Sequence, residues 1–344
     1  MATALLLNKS TLRIAHHPFT PTIIRAGRTA MSRSQSSLTS YLVTPAELER
    51  ALKTNAPSKL STAPRVIPIC GAWFLPNDPE RRTGSHVFRR QRIPGARFFD
   101  LDKVSDTSSP YPHMLPRPEV FRDAMRELGV HRDDTLVVYD SAEQGIFSGP
   151  RVAWTLKIFG HPSVHLLNNF KIWVEEGRPL EFGEPKAVER TDYPTPELDT
   201  SKVVAFEEMK EIAKDVNKEG REEWQVLDAR SLGRWKGTDP EPRPGLSSGH
   251  IPGSTSVPVP DLLDPTTKAF LPPEQLREVF ESRGVDPTKP IISSCGTGVT
   301  ATVIDTALTE AGYGEGVRRV YDGSWTEWAQ RVRPGENLIV TVTE

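Results

Sequence analysis

The sequence predicts an α/β protein built from two tandem units, each a mostly parallel sheet flanked by helices. Three observations support this prediction. A chain of 344 residues is long enough for two cores. Short apolar segments with strand character alternate with segments of helical spacing, which is typical of parallel sheets. The second half repeats the order of the first, so that the Ile-Pro-Gly turn at 93–95 recurs at 251–253, and Trp173 recurs as Trp328.

The strands and helices of the two units are expected at matching places. In the first unit, strands are predicted at 66–69, 135–139 and 164–167, and helices at 118–128 and 151–159. In the second unit, strands are predicted at 225–228, 290–293 and 318–321, and helices at 274–282 and 300–311. A glycine closely follows each of these helices, and glycine is the residue that most readily ends one.

These positions suggest where the two units begin and end. Residues 41–180 are predicted to form the first unit, and residues 201–344 the second. Residues 181–200 are rich in Pro, Glu and Thr and lack apolar periodicity. They are therefore predicted to be a linker.

The first 40 residues differ in composition from the rest of the chain. Residues 1–40 contain five basic residues and no Asp or Glu, and they are rich in Ser, Thr and Ala. This composition predicts a mitochondrial targeting segment. A second start at Met31 would give a cytoplasmic form. The alternative is a basic tail with no targeting role.

The bulk composition excludes several classes of function. The formal net charge is −2, so a basic nucleic-acid surface is not expected. No run of about 18 apolar residues occurs, so no membrane span is expected. Cys70 and Cys295 are the only cysteines, which is too few for a disulfide framework and typical of a reducing compartment. Neither a metal nor an organic cofactor is expected.

The strongest candidate for chemistry is the loop after the strand predicted at 290–293. Cys295 opens this loop, and Gly296 and Gly298 allow the backbone to turn its N–H groups inward toward an anion. The helix predicted from Thr300 adds the positive end of its dipole. Backbone groups alone, without a charged side chain nearby, are therefore expected to stabilise a thiolate on Cys295 and a persulfide built on it.

Cys295 has two other interpretations. Cysteine is often fully buried, so Cys295 could serve packing alone. The loop could also belong to a phosphatase with the pattern Cys-x5-Arg. However, the sixth residue after Cys295 is Ala301, so the arginine that would bind phosphate is missing.

Several motifs make the chain resemble the rhodanese family, in particular its tandem-domain 3-mercaptopyruvate and thiosulfate sulfurtransferases. The motifs are Cys-Gly-Thr-Gly-Val-Thr-Ala at 295–301, Leu-Asp-Ala-Arg at 227–230, Gly-Arg-Trp at 233–235, Gly-His-Ile-Pro-Gly at 249–253, Asp-Gly-Ser-Trp-Thr-Glu-Trp at 322–328 and Tyr-Pro-His-Met-Leu-Pro at 111–116. Within the family, the chain is most similar to the fungal sulfurtransferases of tRNA thiouridine modification. The resemblance implies a rhodanese-like domain in each unit, the first without the catalytic cysteine.

The resemblance implies a role for each residue of the site. Cys295 would carry sulfur as a persulfide, and the Thr297 hydroxyl would hydrogen-bond the departing enolate. Arg234 and Arg243 match the two arginines that similar enzymes use for the substrate carboxylate and carbonyl. The other substrate-binding residues are expected to be Gly296, Gly298, Val299 and Thr300.

The charge of the loop favours 3-mercaptopyruvate as the sulfur donor. For thiosulfate-using members, the family implies basic residues at the two positions after the cysteine, whereas these are Gly296 and Thr297 here. A neutral loop suits a monoanionic keto acid whose carboxylate binds a guanidinium group. Two alternatives remain: thiosulfate as the main donor, and a sulfur-relay or scaffolding module with little turnover.

The resemblance also implies the sulfur acceptor. The candidates are thioredoxin, a small thiol, or a rhodanese-like relay protein that feeds tRNA thiolation. Direct contact with nucleic acid or a membrane is not expected.

One position departs from the family pattern. In many animal relatives the first Ile-Pro-Gly turn is preceded by a histidine with an assigned part in proton relay, whereas this chain has Arg92. The first unit is therefore expected to supply no acid–base histidine. Asp140 and Ser141 stand near the place of a nucleophile in that unit, which indicates a catalytically silent domain that shapes the cleft.

A few other conspicuous residues are expected to be structural. Cys70 lies at a strand end in the first unit and is expected to serve packing. His250 belongs to a turn, and Trp325 and Trp328 are expected to lie in the core or at the domain interface.

Overall fold

The computed structural model describes residues 38–55, 64–216 and 224–342. Met31 and nearly all of the predicted targeting segment lie outside the described residues. None of the helices in these ranges combines the length and the apolar character needed to cross a bilayer.

The first unit contains a five-stranded, wholly parallel sheet. Its strands are β1 (Leu42–Val43), β2 (Val66–Cys70), β3 (Arg97–Phe98), β4 (Thr135–Tyr139) and β5 (Val164–Leu167), in the spatial order β1-β5-β4-β2-β3. Its helices are α1 (Pro45–Leu52), α2 (Gly84–Arg90), α3 (Pro118–Glu127), α4 (Gly149–Ile158) and α5 (Phe170–Glu175). Every residue of β2 and β4 is buried, as expected for strands covered on both faces.

The second unit repeats this arrangement. Its strands are β6 (Val203–Val204), β7 (Gln225–Asp228), β8 (Ser254–Ser256), β9 (Ile291–Ser294) and β10 (Arg318–Tyr321), in the order β6-β10-β9-β7-β8. Its helices are α6 (Phe206–Lys214), α7 (Leu232–Lys236), α8 (Pro273–Glu281), α9 (Ala301–Ala311) and α10 (Ser324–Arg331). The strand order is the same as in the first unit, so the predicted α/β repeat is confirmed.

The register of the sheets shows which residues are equivalent. Cys70, at the end of β2, pairs with Tyr139, and Asp228, at the end of β7, pairs with Ser294. The residues that follow β4 and β9 are therefore equivalent, so Asp140 occupies the place of Cys295.

The two units pack through the helices that follow these central strands. Helices α4 and α9 contact each other. Val152 and Leu156 of α4 share one continuous core with Ile304 and Leu308 of α9, and all four side chains are fully buried. This core places the beginnings of the two helices, and the loops before them, next to each other.

The remaining structural expectations hold. Trp325 and Trp328 are fully buried in the core of the second unit. His250 stacks on Trp235, and its Nδ1 lies 2.8 Å from the Trp235 carbonyl oxygen. These contacts fix the turn at 249–253 and agree with the structural role expected for His250.

Candidate active site

The loop that begins at Cys295 is held in place by the start of α10. The Cys295 N–H donates to Ser324 Oγ at 3.1 Å, and the Cys295 carbonyl accepts from the Trp325 N–H at 2.9 Å. The next carbonyl, that of Gly296, accepts from the Thr326 N–H at 2.9 Å. The backbone at Cys295 is therefore fixed by its hydrogen bonds to the start of α10, and Cys295 is only 1% exposed.

Gly298 is required by the shape of this loop. Its φ is +73°, in the left-handed region that favours glycine. A Cβ at this position would lie 2.5 Å from the Asp322 carbonyl oxygen. The loop can therefore approach the end of β10 only because position 298 has no side chain.

The loop retains unused hydrogen-bond donors. Within the described ranges, the backbone N–H groups of residues 296–300 donate to no protein acceptor. Together with the N-terminus of α9, they form a row of donors suited to an anion.

A cavity of about 400 Å³ lies between the two units and opens onto this loop. The first unit contributes Trp73, Leu75, Gln144, Ile146 and Phe147 to its lining. Of the predicted site residues, the lining includes Cys295, Gly296, Thr297, Val299, Thr300, Arg234 and Arg243. Gly298 is not part of the lining, because it faces Asp322 and the buried Arg151.

The two predicted arginines have different surroundings. Arg234 forms two contacts with the Glu241 carboxylate, at 2.5 and 3.2 Å. Glu241 also accepts from Arg230 at 2.9 Å, and Arg230 in turn is paired with Asp228. The charge of Arg234 is therefore largely balanced before any substrate arrives.

Arg243 is the less balanced of the two. Among the residues that the structure describes, it makes no hydrogen bond or ion pair. Burial, followed by the neighbouring Arg234, lowers its pKa, whereas Cys295, Glu241 and Asp102 favour its charged form. The expectation that no charged side chain would lie near the Cys295 thiolate is therefore wrong. Arg243 places a guanidinium charge in the same cavity wall.

A chain of hydrogen bonds enters the site from the first unit. His113 Nδ1 lies 3.2 Å from Thr297 Oγ1, and His113 Nε2 lies 3.0 Å from Asp102 Oδ1. The Trp73 indole N–H also donates to Asp102 Oδ1, at 2.9 Å, and its ring meets His113 edge-on at 4.6 Å. The buried histidine is thus held between a carboxylate and the loop hydroxyl.

The protonation states follow from these partners. The hydrogen bond from His113 is the main reason that the pKa of Asp102 is lowered, so this carboxylate is ionised and can only accept. His113 Nε2 therefore carries the proton, and Nδ1 accepts from the Thr297 hydroxyl. Burial lowers the pKa of His113, so its ring is neutral at neutral pH.

The prediction that the first unit supplies no acid–base histidine did not anticipate His113, which the structure places against Thr297. It rested on Arg92, whose guanidinium lies elsewhere and donates to the carbonyl oxygens of Gly183 at 2.7 Å and Glu184 at 3.4 Å. The histidine that reaches the loop is His113, which belongs to the motif at 111–116. Nothing in the sequence placed it against Thr297, a residue 184 positions away.

The other cysteine lies outside the cavity. Cys70 is buried in the first unit, and burial raises the pKa of its thiol to about 12. This agrees with the packing role expected for it. In the part of the chain that the structure covers, no cluster of three or more His, Cys, Asp or Glu residues is suited to hold a metal ion.

Comparison with known proteins agrees with this architecture. Residues 209–331 match the family model of the rhodanese-like domain. The chain is 43% identical over 283 residues to a thiosulfate sulfurtransferase of Saccharomyces cerevisiae, covering 78% of this chain and 90% of that relative. It is 38% identical over 295 residues to the 3-mercaptopyruvate sulfurtransferase of Homo sapiens, covering 84% of this chain and 91% of the relative.

A solved structure gives the same result. The chain superposes on the sulfur transferase subunit of yeast mitochondrial complex I with a TM-score of 0.77 and 40% identity, covering 88% of this chain and 99% of that one. The two parallel sheets, the cysteine loop and the extent of these similarities agree with one another. The chain therefore belongs to the rhodanese family of sulfurtransferases.

Proposed function

We propose that the protein moves sulfur from 3-mercaptopyruvate to a thiol acceptor through a persulfide on Cys295, and releases pyruvate. The second unit, residues 201–344, supplies the nucleophile. The first unit, residues 41–180, supplies one wall of the cleft and the histidine. The names of the yeast and human relatives support donors of this chemical class.

The observation that carries the choice of donor is the chain Asp102–His113–Thr297. When thiosulfate gives up its outer sulfur, sulfite leaves as a stable anion and no carbon needs a proton. When 3-mercaptopyruvate gives up its sulfur, the enolate of pyruvate leaves and must be protonated on carbon. A hydroxyl backed by a buried neutral histidine is suited to that transfer.

The first half-reaction then balances as follows. The thiolate form of Cys295, stabilised by the loop N–H groups, attacks the sulfur of the substrate thiol. The S–S bond forms as the C–S bond breaks, which leaves Cys295 as the persulfide. The proton of the transferred S–H group passes through the Thr297 hydroxyl and His113 to the enolate carbon, so that pyruvate leaves and the persulfide stays ionised.

Binding is assigned to the two arginines and to the loop. Arg243 takes the substrate carboxylate, because its charge is not already used by a protein carboxylate. Arg234, balanced by Glu241, takes the carbonyl oxygen. The free N–H groups of residues 296–300 receive the negative charge that develops on sulfur and on the enolate oxygen.

The second half-reaction regenerates the Cys295 thiolate. An acceptor thiolate attacks the outer sulfur, and Cys295 leaves as its thiolate. The acceptor class is a thiol: thioredoxin, a small thiol, or a rhodanese-like relay protein that feeds tRNA thiolation.

We also propose a mitochondrial location, with a cytoplasmic form that starts at Met31. The similarity to a subunit of yeast mitochondrial complex I supports the mitochondrial location.

A second donor is favoured by a specific observation. Besides Arg234 and Arg243, Arg230 and Lys268 line the cavity, so four basic residues from outside the loop border the same cavity as Cys295. Such a set would suit the dianion thiosulfate. Thiosulfate is therefore the alternative donor, and a relay module without turnover is the alternative to an enzyme.

Steady-state kinetics of the full-length protein with each donor and one thiol acceptor test the proposal. The wild type is expected to prefer 3-mercaptopyruvate. The change Arg243→Ala should raise KM for this donor about 10- to 100-fold, the cost of a lost charge-assisted hydrogen bond, and should change kcat little.

The control is Arg190→Ala, which removes an exposed arginine paired with Asp123 outside the cavity and should leave both constants unchanged. A clear preference for thiosulfate would contradict the assignment of the donor. No turnover with either donor would select the relay module.

A further inference from the structure

We propose that Arg151 and Asp322 are a positioning pair that holds His113 against Thr297 and ties this alignment to the packing of the two units. The inference rests on the function proposed above. It concerns residues that line no part of the cavity and touch no reacting atom.

The pair is buried at the junction of the two units. Arg151, in the first turn of α4, is 1% exposed, and Asp322, directly after β10, is 4% exposed. Arg151 Nη2 lies 2.6 Å from Asp322 Oδ1. A charge pair without access to water is costly to break, because either partner alone would be left as an uncompensated buried charge.

Both members also bind the backbone on either side of His113. Arg151 Nη2 donates to the His113 carbonyl at 2.7 Å. Asp322 Oδ2 accepts from the Leu115 N–H at 2.9 Å. The segment that carries His113 is thus fixed at two points by one ion pair, and one of these two contacts crosses from the first unit to the second.

His113 needs such support because of its own backbone. Its φ is +63°, a left-handed conformation that side-chain-bearing residues adopt only under constraint. This conformation accompanies the placement of the ring between Asp102 and Thr297. Without the two contacts, the segment is expected to relax and the histidine to leave the Thr297 hydroxyl.

The same ion pair also contacts the backbone beside Thr297, which donates the hydrogen bond to His113. Arg151 Nη1 donates to the Gly298 carbonyl at 3.2 Å, one residue after Thr297. The ion pair therefore contacts the backbone next to both the donor and the acceptor of the Thr297–His113 hydrogen bond. It is placed to set the distance between them.

A double-mutant cycle separates this role from a general contribution to stability. The change Asp322→Asn keeps the shape but removes the charge. It should lower kcat with 3-mercaptopyruvate about 10- to 100-fold, with KM changed less than about threefold, because substrate binding is left in place. In a His113→Gln background, the same change should lower kcat by less than about threefold, because there is no longer a histidine to position.

The matched control is Asp134→Asn. Asp134 is also buried and also binds an arginine and backbone N–H groups, but it lies in the first unit outside the cavity. It should lower the unfolding midpoint and leave kcat unchanged at temperatures where the variant is folded.

A second variant covers the case in which Asp322→Asn does not fold. Arg151→Lys retains the charge but cannot hold Asp322, His113 and Gly298 at once, and should give an intermediate loss of kcat in the wild-type background only. Equal losses with and without His113 would overturn the positioning role. If His113→Gln itself had full activity, the proposed relay would fail instead, so the two failures are distinguishable.

Discussion

The loops after the two central strands carry different residues at equivalent positions, in a first unit that we propose to be silent and a second that we propose to be reactive. Residues 140–148 link β4 to α4, and residues 295–300 link β9 to α9. Both begin at the carboxyl end of an equivalent strand and lead into a helix. The first begins with Asp140, whereas the second begins with Cys295.

The first loop satisfies its own donors. The Asp140 carboxylate accepts from the N–H groups of Phe147 at 2.9 Å, Ser148 at 3.1 Å and Gly149 at 2.7 Å, and from the Ser148 hydroxyl at 2.8 Å. The N–H groups of residues 296–300, in contrast, have no protein acceptor within the described ranges. The Asp140 carboxylate thus fills the anion position of the first loop, whereas the equivalent donors of the second loop have no protein partner within the described ranges.

The first unit also contributes side chains that contact the loop of the second unit. It has no nucleophile at the place of Cys295, yet it contributes His113, Asp102 and Arg151 to the partner loop. In the proposed mechanism, one copy of the repeated unit therefore supplies proton transfer and positioning to the other.

The largest expected effect on turnover comes from replacing Cys295, the thiol that the first unit lacks at the equivalent position. The change Cys295→Ser should lower turnover more than about 1,000-fold, because covalent catalysis is lost. The unfolding midpoint should stay close to that of the wild type. Turnover of the full-length protein and thermal unfolding are the measurements.

Cys70 provides the matched control for this change. It is equally buried, but it lies outside the cavity. Cys70→Ala should retain turnover while lowering stability by about 1 kcal/mol. Turnover near the wild-type level in Cys295→Ser, or a comparable loss in Cys70→Ala, would be incompatible with a single reactive cysteine.

A smaller effect should appear in the stability of the silent loop. Burial raises the pKa of Asp140 from 3.8 to about 6. Because the pKa is higher in the folded state, protonation of Asp140 stabilises the folded protein. This contribution to the free energy of unfolding is fully present below about pH 4 and is lost as pH rises through about 6. The full loss is about 3 kcal/mol.

Chemical denaturation between pH 4 and pH 7 measures this effect. Asp140→Asn has no carboxyl to titrate at this position. The unfolding free energy of the wild type should therefore fall relative to that of the variant across this range. Parallel pH dependences of the two proteins would show that Asp140 is not perturbed.

Local pattern was sufficient to predict most of the fold. The strands predicted at 135–139, 164–167, 225–228 and 318–321 are found with those boundaries. The clearest case is β4, which is buried throughout and has the nearly continuous apolar run of a strand covered on both faces. Gly312 ends α9 in a left-handed conformation, as its position after the helical segment predicts. The edge strands β1, β3 and β6 were missed because each has only two residues, too few to show a period.

The residues alone predicted the site only where it is local in sequence, and Arg234 and Arg243, which share its cavity, were expected from the family resemblance. The loop at 295–300 could be interpreted from its own residues, since two glycines and a following helix define an anion cradle. The proton chain could not be, because it joins Asp102 and His113 to a hydroxyl in the other unit. The ion pair between Arg234 and Glu241 was missed for a related reason. Which side chains pair within a loop depends on the backbone conformation of that loop, and the sequence does not give this conformation.

The most direct test of the central claim compares His113→Gln with the wild type on both donors. The rates of persulfide formation on Cys295 are measured by mass spectrometry with 3-mercaptopyruvate and with thiosulfate. If the silent unit supplies the proton for the enolate, the rate with 3-mercaptopyruvate should fall about 100-fold or more. The rate with thiosulfate should change little, because sulfite leaves without a proton. Equal losses with both donors, or no loss with 3-mercaptopyruvate, would contradict the claim.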